Sequence, residues 1–142
     1  MIKRSFLLAV FALSLGFVNA ASADSVVAVP TPGVISPAGG QLSVAIDILY
    51  EGQPSALGLA LALPEGWSLA GVAGKNAPPI AAEAGTTESA EFAWMSPPSG
   101  GANLVLKVNY PAGSQVGVLS GFAEIRRSGK SLRLQVAVPL GR

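Results

Sequence analysis

Histidine and cysteine, which carry much of side-chain chemistry, occur nowhere in this chain. That removes Ser-His-Asp and Cys-His catalysis, imidazole metal sites, thiolate zinc sites and disulfides. Carboxylates, lysines, hydroxyls and a few aromatic rings remain. The acids outside the N-terminal segment are Asp24, Asp47, Glu51, Glu65, Glu83, Glu88, Glu91 and Glu124. Two of them facing each other across a cleft could hydrolyse a glycosidic bond. Their spacing selects no pair, and solvated surface acids are the expected outcome. Glu83, Glu88 and Glu91 are close enough in sequence to help hold a calcium ion, but the D-x-D-x-D-G loop is missing. The expectation is therefore no catalytic residue, no metal and no cofactor.

The aromatic residues offer a different chemistry. Exposed Trp or Tyr rings beside Pro/Gly loops can stack on sugars. Trp67 follows Pro64 and Gly66, Trp94 precedes Ser96-Pro97-Pro98-Ser99-Gly100-Gly101, and Tyr110 precedes Pro111-Ala112-Gly113. These three are the candidate binding residues. Trp94 is the better surface candidate, whereas Trp67 is expected to fold back over the core at a corner. Packing in the core or at a corner is the competing expectation for both tryptophans.

Strands must position these rings. In Leu57–Leu63 a leucine recurs at every second residue, with Gly58, Ala60 and Ala62 between. Period two puts the leucines on one face and the small residues on the other, where a neighbouring layer could come close. Leucine and alanine favour helices, but the run is short and is bracketed by Pro and Gly. Pro64 ends it because it has no N–H for the ladder.

Other segments alternate in the same way. Gln41–Tyr50 places Leu42, Val44, Ile46, Ile48 and Tyr50 on one face, and Asn103–Tyr110 places Leu104, Leu106, Val108 and Tyr110 on one face. In Ser131–Leu140 the inward set is Leu132, Leu134, Val136 and Val138. Ser25–Val29, Ser68–Val72, Ile80–Glu83 and Glu91–Met95 are shorter candidates. Glu51–Ser55 predicts a hairpin between Gln41–Tyr50 and the leucine strand. Gln115–Arg127 changes phase, and Gly121 is the candidate bulge. Arg126–Lys130 predicts a polar hairpin turn. Tyr50-Glu51-Gly52 and Tyr110-Pro111-Ala112-Gly113 share a turn chemistry.

Seven to nine short strands, with no helix after the first segment, predict an all-β fold, an antiparallel β-sandwich. A β-barrel is the alternative. Residues 1–23 resemble a signal peptide: Lys3 and Arg4, the thirteen-residue apolar run Phe6–Val18, then Ala21-Ser22-Ala23 or Val18-Asn19-Ala20 as a cleavage pattern. The run is too short for an ordinary membrane span. Cleavage before Asp24 leaves residues 24–142 as a single domain, with seven basic and eight acidic residues. That near-neutral balance argues against nucleic acid or anionic lipid as the main partner. The acids lie early and the bases late, which predicts cross-strand ion pairs.

The joints Leu63-Pro64-Glu65-Gly66-Trp67, Phe92-Ala93-Trp94, Pro111-Ala112-Gly113 and Ser120-Gly121-Phe122 resemble those of the immunoglobulin-like and cohesin-like β-sandwich modules of secreted and cell-surface bacterial and archaeal proteins. The resemblance covers about residues 41–127. It implies a non-catalytic module for adhesion, scaffolding or protein–protein interaction. The expected location is periplasmic or extracellular, with an extracytoplasmic protein or a polysaccharide as partner. The alternatives are a carbohydrate-binding module that uses Trp67, Trp94 or Tyr110, and a small carboxylate hydrolase.

Overall fold

The computed structural model describes residues 24–115 and 117–140; the predicted signal peptide lies outside them. Nine strands follow in order: β1 (Ser25–Thr31), β2 (Gly40–Leu49), β3 (Ala56–Ala62), β4 (Ser68–Ala73), β5 (Ile80–Ala81), β6 (Ser89–Trp94), β7 (Gly101–Tyr110), β8 (Gly117–Arg127) and β9 (Lys130–Leu140). No helix occurs among the described residues, and none there could cross a membrane. The strands form two antiparallel sheets, β1-β2-β7-β4 and β5-β6-β3-β8-β9. Side chains of both sheets join in one apolar core, a β-sandwich-like arrangement. β1 and β9 lie side by side without pairing, so the sheets do not close into a barrel there.

Alternation explains the core. Leu57, Leu59, Leu61 and Leu63 are all buried, as are Leu42, Val44, Ile46 and Ile48 on β2 and Leu104, Leu106 and Val108 on β7. No polar or charged side chain is buried among the described residues. Stability must come mainly from apolar area removed from water, at about 25 cal/mol per Å².

Three expectations fail, each for a physical reason. β2 and β3 do not form a hairpin. β2 pairs with β1 and β7, β3 pairs with β6 and β8, and Glu51–Ser55 carries the chain from one sheet to the other. Gly121 is not a bulge. β8 keeps an unbroken register with both β3 and β9, and Leu119, Ala123 and Ile125 all point inward. The glycine is there because the strands approach closely: a Cβ on Gly121 would sit 1.9 Å from the Ala60 carbonyl oxygen. Among the described residues a register shift falls in β4 instead, between Leu69 and Gly71. Leu132 faces the expected side of β9 but stays exposed near the turn end of this edge strand. The predicted polar hairpin does form between β8 and β9. Ser128 (φ 47°) and Gly129 (φ 77°) turn the chain with two positive φ angles, as a two-residue hairpin loop prefers.

Candidate functional site

The three candidate rings all lie inside. Trp67 and Trp94 are each 3% exposed, and Tyr110 is 7% exposed. Trp67 packs against Tyr110 with ring centroids 5.3 Å apart. Its backbone N–H donates to the Pro64 carbonyl, which makes the corner. Trp94, expected nearer the surface, instead donates its indole N–H inward to the Asn76 carbonyl at 2.9 Å and ties down the loop before β5. Tyr110 accepts from the Ser36 backbone N–H at 2.9 Å. None of the three rings offers a face for a sugar to stack on. Large amphipathic rings bury well when the polar tip finds a partner, as those of Trp94 and Tyr110 do.

The acids are equally informative. Among the described residues no three acids gather to hold a metal ion. The groups with shifted protonation sit at one end of the molecule. Arg127 donates to both Asp24 oxygens, at 2.9 and 3.1 Å, and to the Glu51 carbonyl. The hydrogen bond from Arg127 is the main reason the Asp24 carboxyl titrates below its ordinary range. Burial pushes the Tyr50 phenol up. This cluster clasps the start of β1 to the β8–β9 hairpin. It joins an early acid to a late base between the two sheets rather than across paired strands, whereas the cross-strand pair Glu124–Arg133 joins two late residues.

A concave surface of mixed chemistry lies elsewhere, on the outer face of the five-stranded sheet. Gly58 and Ala60 of β3 form its floor. Gly58 is opposite Ala93 and Glu124, and Ala60 is opposite Glu91 and Phe122. Arg133 on β9 is opposite Glu124. The groove is an open depression of about 350 Å³. A second depression shares Ile80 and Glu91 with it and continues over β5 and β6. Ile80 and Glu91 therefore stand between the two depressions.

One side is formed by Phe122, Glu124 and Arg133. The Arg133 guanidinium lies 4.1 Å from the centre of the Phe122 ring, a cation–π stack. Arg133 Nε donates to Glu124 Oε1 at 3.0 Å, and Arg126 Nη2 lies 3.7 Å from Glu124 Oε2. The opposite wall is formed by Glu91 and the exposed Ile80.

Two neighbouring glycines of this sheet differ in why they are glycine. Gly121 is required by the close approach of backbones described above. Gly58 is not required by the fold. Its φ lies outside the left-handed region, and a Cβ there would meet nothing nearer than the Phe92 carbonyl oxygen at 3.9 Å. A glycine inside a central strand weakens it, and such a position often marks where something approaches closely.

Sequence reading missed the groove as a site. It singled out neither Phe122, Arg133 nor Gly58 for binding, and it placed Glu91 and Glu124 among solvated acids. The available signal was the run of small residues opposite the leucines. No protein-family model matches the chain, and no curated protein sequence matches it either.

Proposed function

We propose that this chain is an exported, non-catalytic interaction module of immunoglobulin-like or cohesin-like type, and that it recognises its partner through the outer face of the five-stranded sheet. The observation that carries the reading is the groove over Gly58, with a small-residue floor and walls of Phe122–Arg133 and Glu91. The two-sheet fold and the Leu63–Trp67 corner support the module type. The Phe6–Val18 run and the Ala21-Ser22-Ala23 pattern support export.

Two measurements test this. Intact mass of the exported protein should correspond to a start at Asp24 or Ala21; recovery of only the full-length chain from the cytoplasm refutes export. Wild-type protein should sediment with envelope fragments of its source cell, while Gly58→Val, which fills the floor, should stay in the supernatant. Equal behaviour of the two proteins refutes this face as the recognition surface.

A further inference from the structure

We infer that two copies of this chain associate face to face through the outer surface of the four-stranded sheet, with Asp47 of each copy against Lys107 of the other. This contact is independent of the groove over Gly58, which lies on the other sheet.

The two outer faces differ in charge. The strands of the five-stranded sheet carry Glu91, Glu124, Arg126, Arg127, Lys130 and Arg133, whereas those of the four-stranded sheet carry only Asp47 on β2 and Lys107 on β7. Both are exposed, and neither forms an ion pair among the described residues. Register sets the side chains of this face in rows across the sheet. Val29, Ala45, Val105 and Ala73 form the middle row. Asp47 lies in the row on one side of it, between Val27 and Asn103. Lys107 lies in the row on the other side, between Ser43 and Gly71. Val27, Val29 and Leu49 are large apolar side chains exposed on the same face. Covering such a face removes apolar area from water.

The placement of the two charges selects a second copy as the cover. Lys107 is paired with Ser43, four residues before Asp47 on the neighbouring strand. With a rise of about 3.4 Å per residue and strands about 4.8 Å apart, the charges stand about 14 Å apart on a line inclined about 20° to the strands. The midpoint of that line falls on the middle row, between Ala45 and Val105. A two-fold axis through the midpoint, in the plane of the contact and perpendicular to the line, sets Asp47 of each copy against Lys107 of the other. Two identical ion pairs then flank an apolar centre, which is the self-complementarity that a two-fold contact requires.

The same axis fixes how the sheets cross. The Tyr50 N–H donates to the Gly100 carbonyl, so the inward residues of β2 are bonded to β7 and its outward residues to β1. For L residues this decides which way the line between the charges leans. The strands of the two copies then cross at about −40°, close to the roughly −30° of sheets packed face to face. Four strands about 4.8 Å apart and about seven residues long present roughly 450 Å² in projection, which places the contact in the small, dissociable class. The Gly58 groove of each copy faces away from the contact, so the pair presents two grooves on opposite sides.

The test is sedimentation equilibrium of the processed protein from micromolar to millimolar concentration. The wild type should pass from monomer to dimer in that range. Asp47→Lys and Lys107→Glu should each weaken dimerisation by about tenfold or more, because each sets like charges together at both contacts. An equimolar mixture of the two variants should dimerise again, since in the mixed pair both contacts join opposite charges. Ala45→Glu brings two like charges together near the axis and should abolish the dimer. All three positions are exposed, so the variants should keep the wild-type melting temperature at micromolar concentration. A wild type that remains monomeric at millimolar concentration overturns the inference. So does a dimer that both single reversals form as well as the wild type, or a mixture that stays monomeric. A monomer that instead binds neutral phosphatidylcholine vesicles, and loses them in Ala45→Glu, identifies a membrane as the cover and overturns it too. None of these outcomes bears on the Gly58 face, which Gly58→Val tests.

Discussion

Tyr50 follows β2 and Tyr110 ends β7, and because these strands are antiparallel the two rings lie at opposite ends of the four-stranded sheet. Both are buried, and both use the phenol oxygen to hold a loop. Tyr50 donates to the Pro98 carbonyl at 2.6 Å, and Tyr110 accepts from the Ser36 N–H. The surroundings differ. The Tyr110 end is reinforced by the Trp67 ring. The Tyr50 end is reinforced by the Asp24–Arg127 ion pair, whose carboxylate is 10% exposed. Similar turn chemistry in the sequence is thus completed once by apolar contact and once by charge. Only the second device responds to pH.

The largest expected effect lies at the aromatic end. Trp67→Ala should lose about 3–5 kcal/mol, the cost of a large buried ring plus the cavity it leaves. A double-mutant cycle with Tyr110 should give a coupling of about 0.5–1.5 kcal/mol. Leu59→Ala or Leu61→Ala, in the core between the ends, should cost about 2–5 kcal/mol and serves as the reference. Denaturant melts read all of these. A Trp67→Ala loss below that of either leucine variant would show that the ring is not the principal support of its end.

Arg127→Ala tests the charged end. It should cost about 1–3 kcal/mol at neutral pH, because a partly buried carboxylate loses its charged hydrogen bonds. Arg127 holds Asp24 below its ordinary range, so the pair contributes fully above the unfolded carboxyl value of about 3.9. The contribution fades as pH falls through the lower folded value. The difference between wild type and Arg127→Ala should therefore shrink below about pH 4, while that between wild type and Trp67→Ala should not. Parallel acid profiles for both variants would break the contrast.

Removing only the hydroxyls should be milder. Tyr50→Phe and Tyr110→Phe should each cost about 1 kcal/mol, the usual net worth of one hydrogen bond. A thermal melt of the pair checks whether the two ends depend equally on this shared element. The smallest effect concerns ordinary conditions. With no histidine and no cysteine, stability should be nearly flat between about pH 5.5 and 7.5 and indifferent to reductant. A melting temperature that moves strongly in that window would point to a titrating group outside the two ends.

Much of the strand content was legible in the sequence. Leu42–Ile48, Leu57–Leu63 and Leu104–Val108 could be assigned to an inward face because side-chain direction alternates along any strand, whatever it pairs with. The Trp67 corner was legible for a similar reason, since Pro64 and Gly66 act on the chain locally. Trp94 shows the limit. Its place beside a Pro-rich loop looks the same whether the ring points out or in, and the Asn76 carbonyl that receives its N–H lies eighteen residues away.

Pairing could not be read in this way. Glu51–Ser55 suits a hairpin or a passage between sheets equally well, and the outcome depends on β7, which claims the edge of β2 from much later in the chain. Gly121 is the same kind of case, because its reason is the Ala60 carbonyl on another strand. The groove goes furthest beyond the sequence. Gly58, Glu91, Phe122 and Arg133 come from four strands, and they meet only because β3 is inserted between β6 and β8 with β9 alongside. Alternation is a property of one strand's backbone, so one strand's residues reveal it. A shared surface is a property of strand order, and long-range packing decides that order.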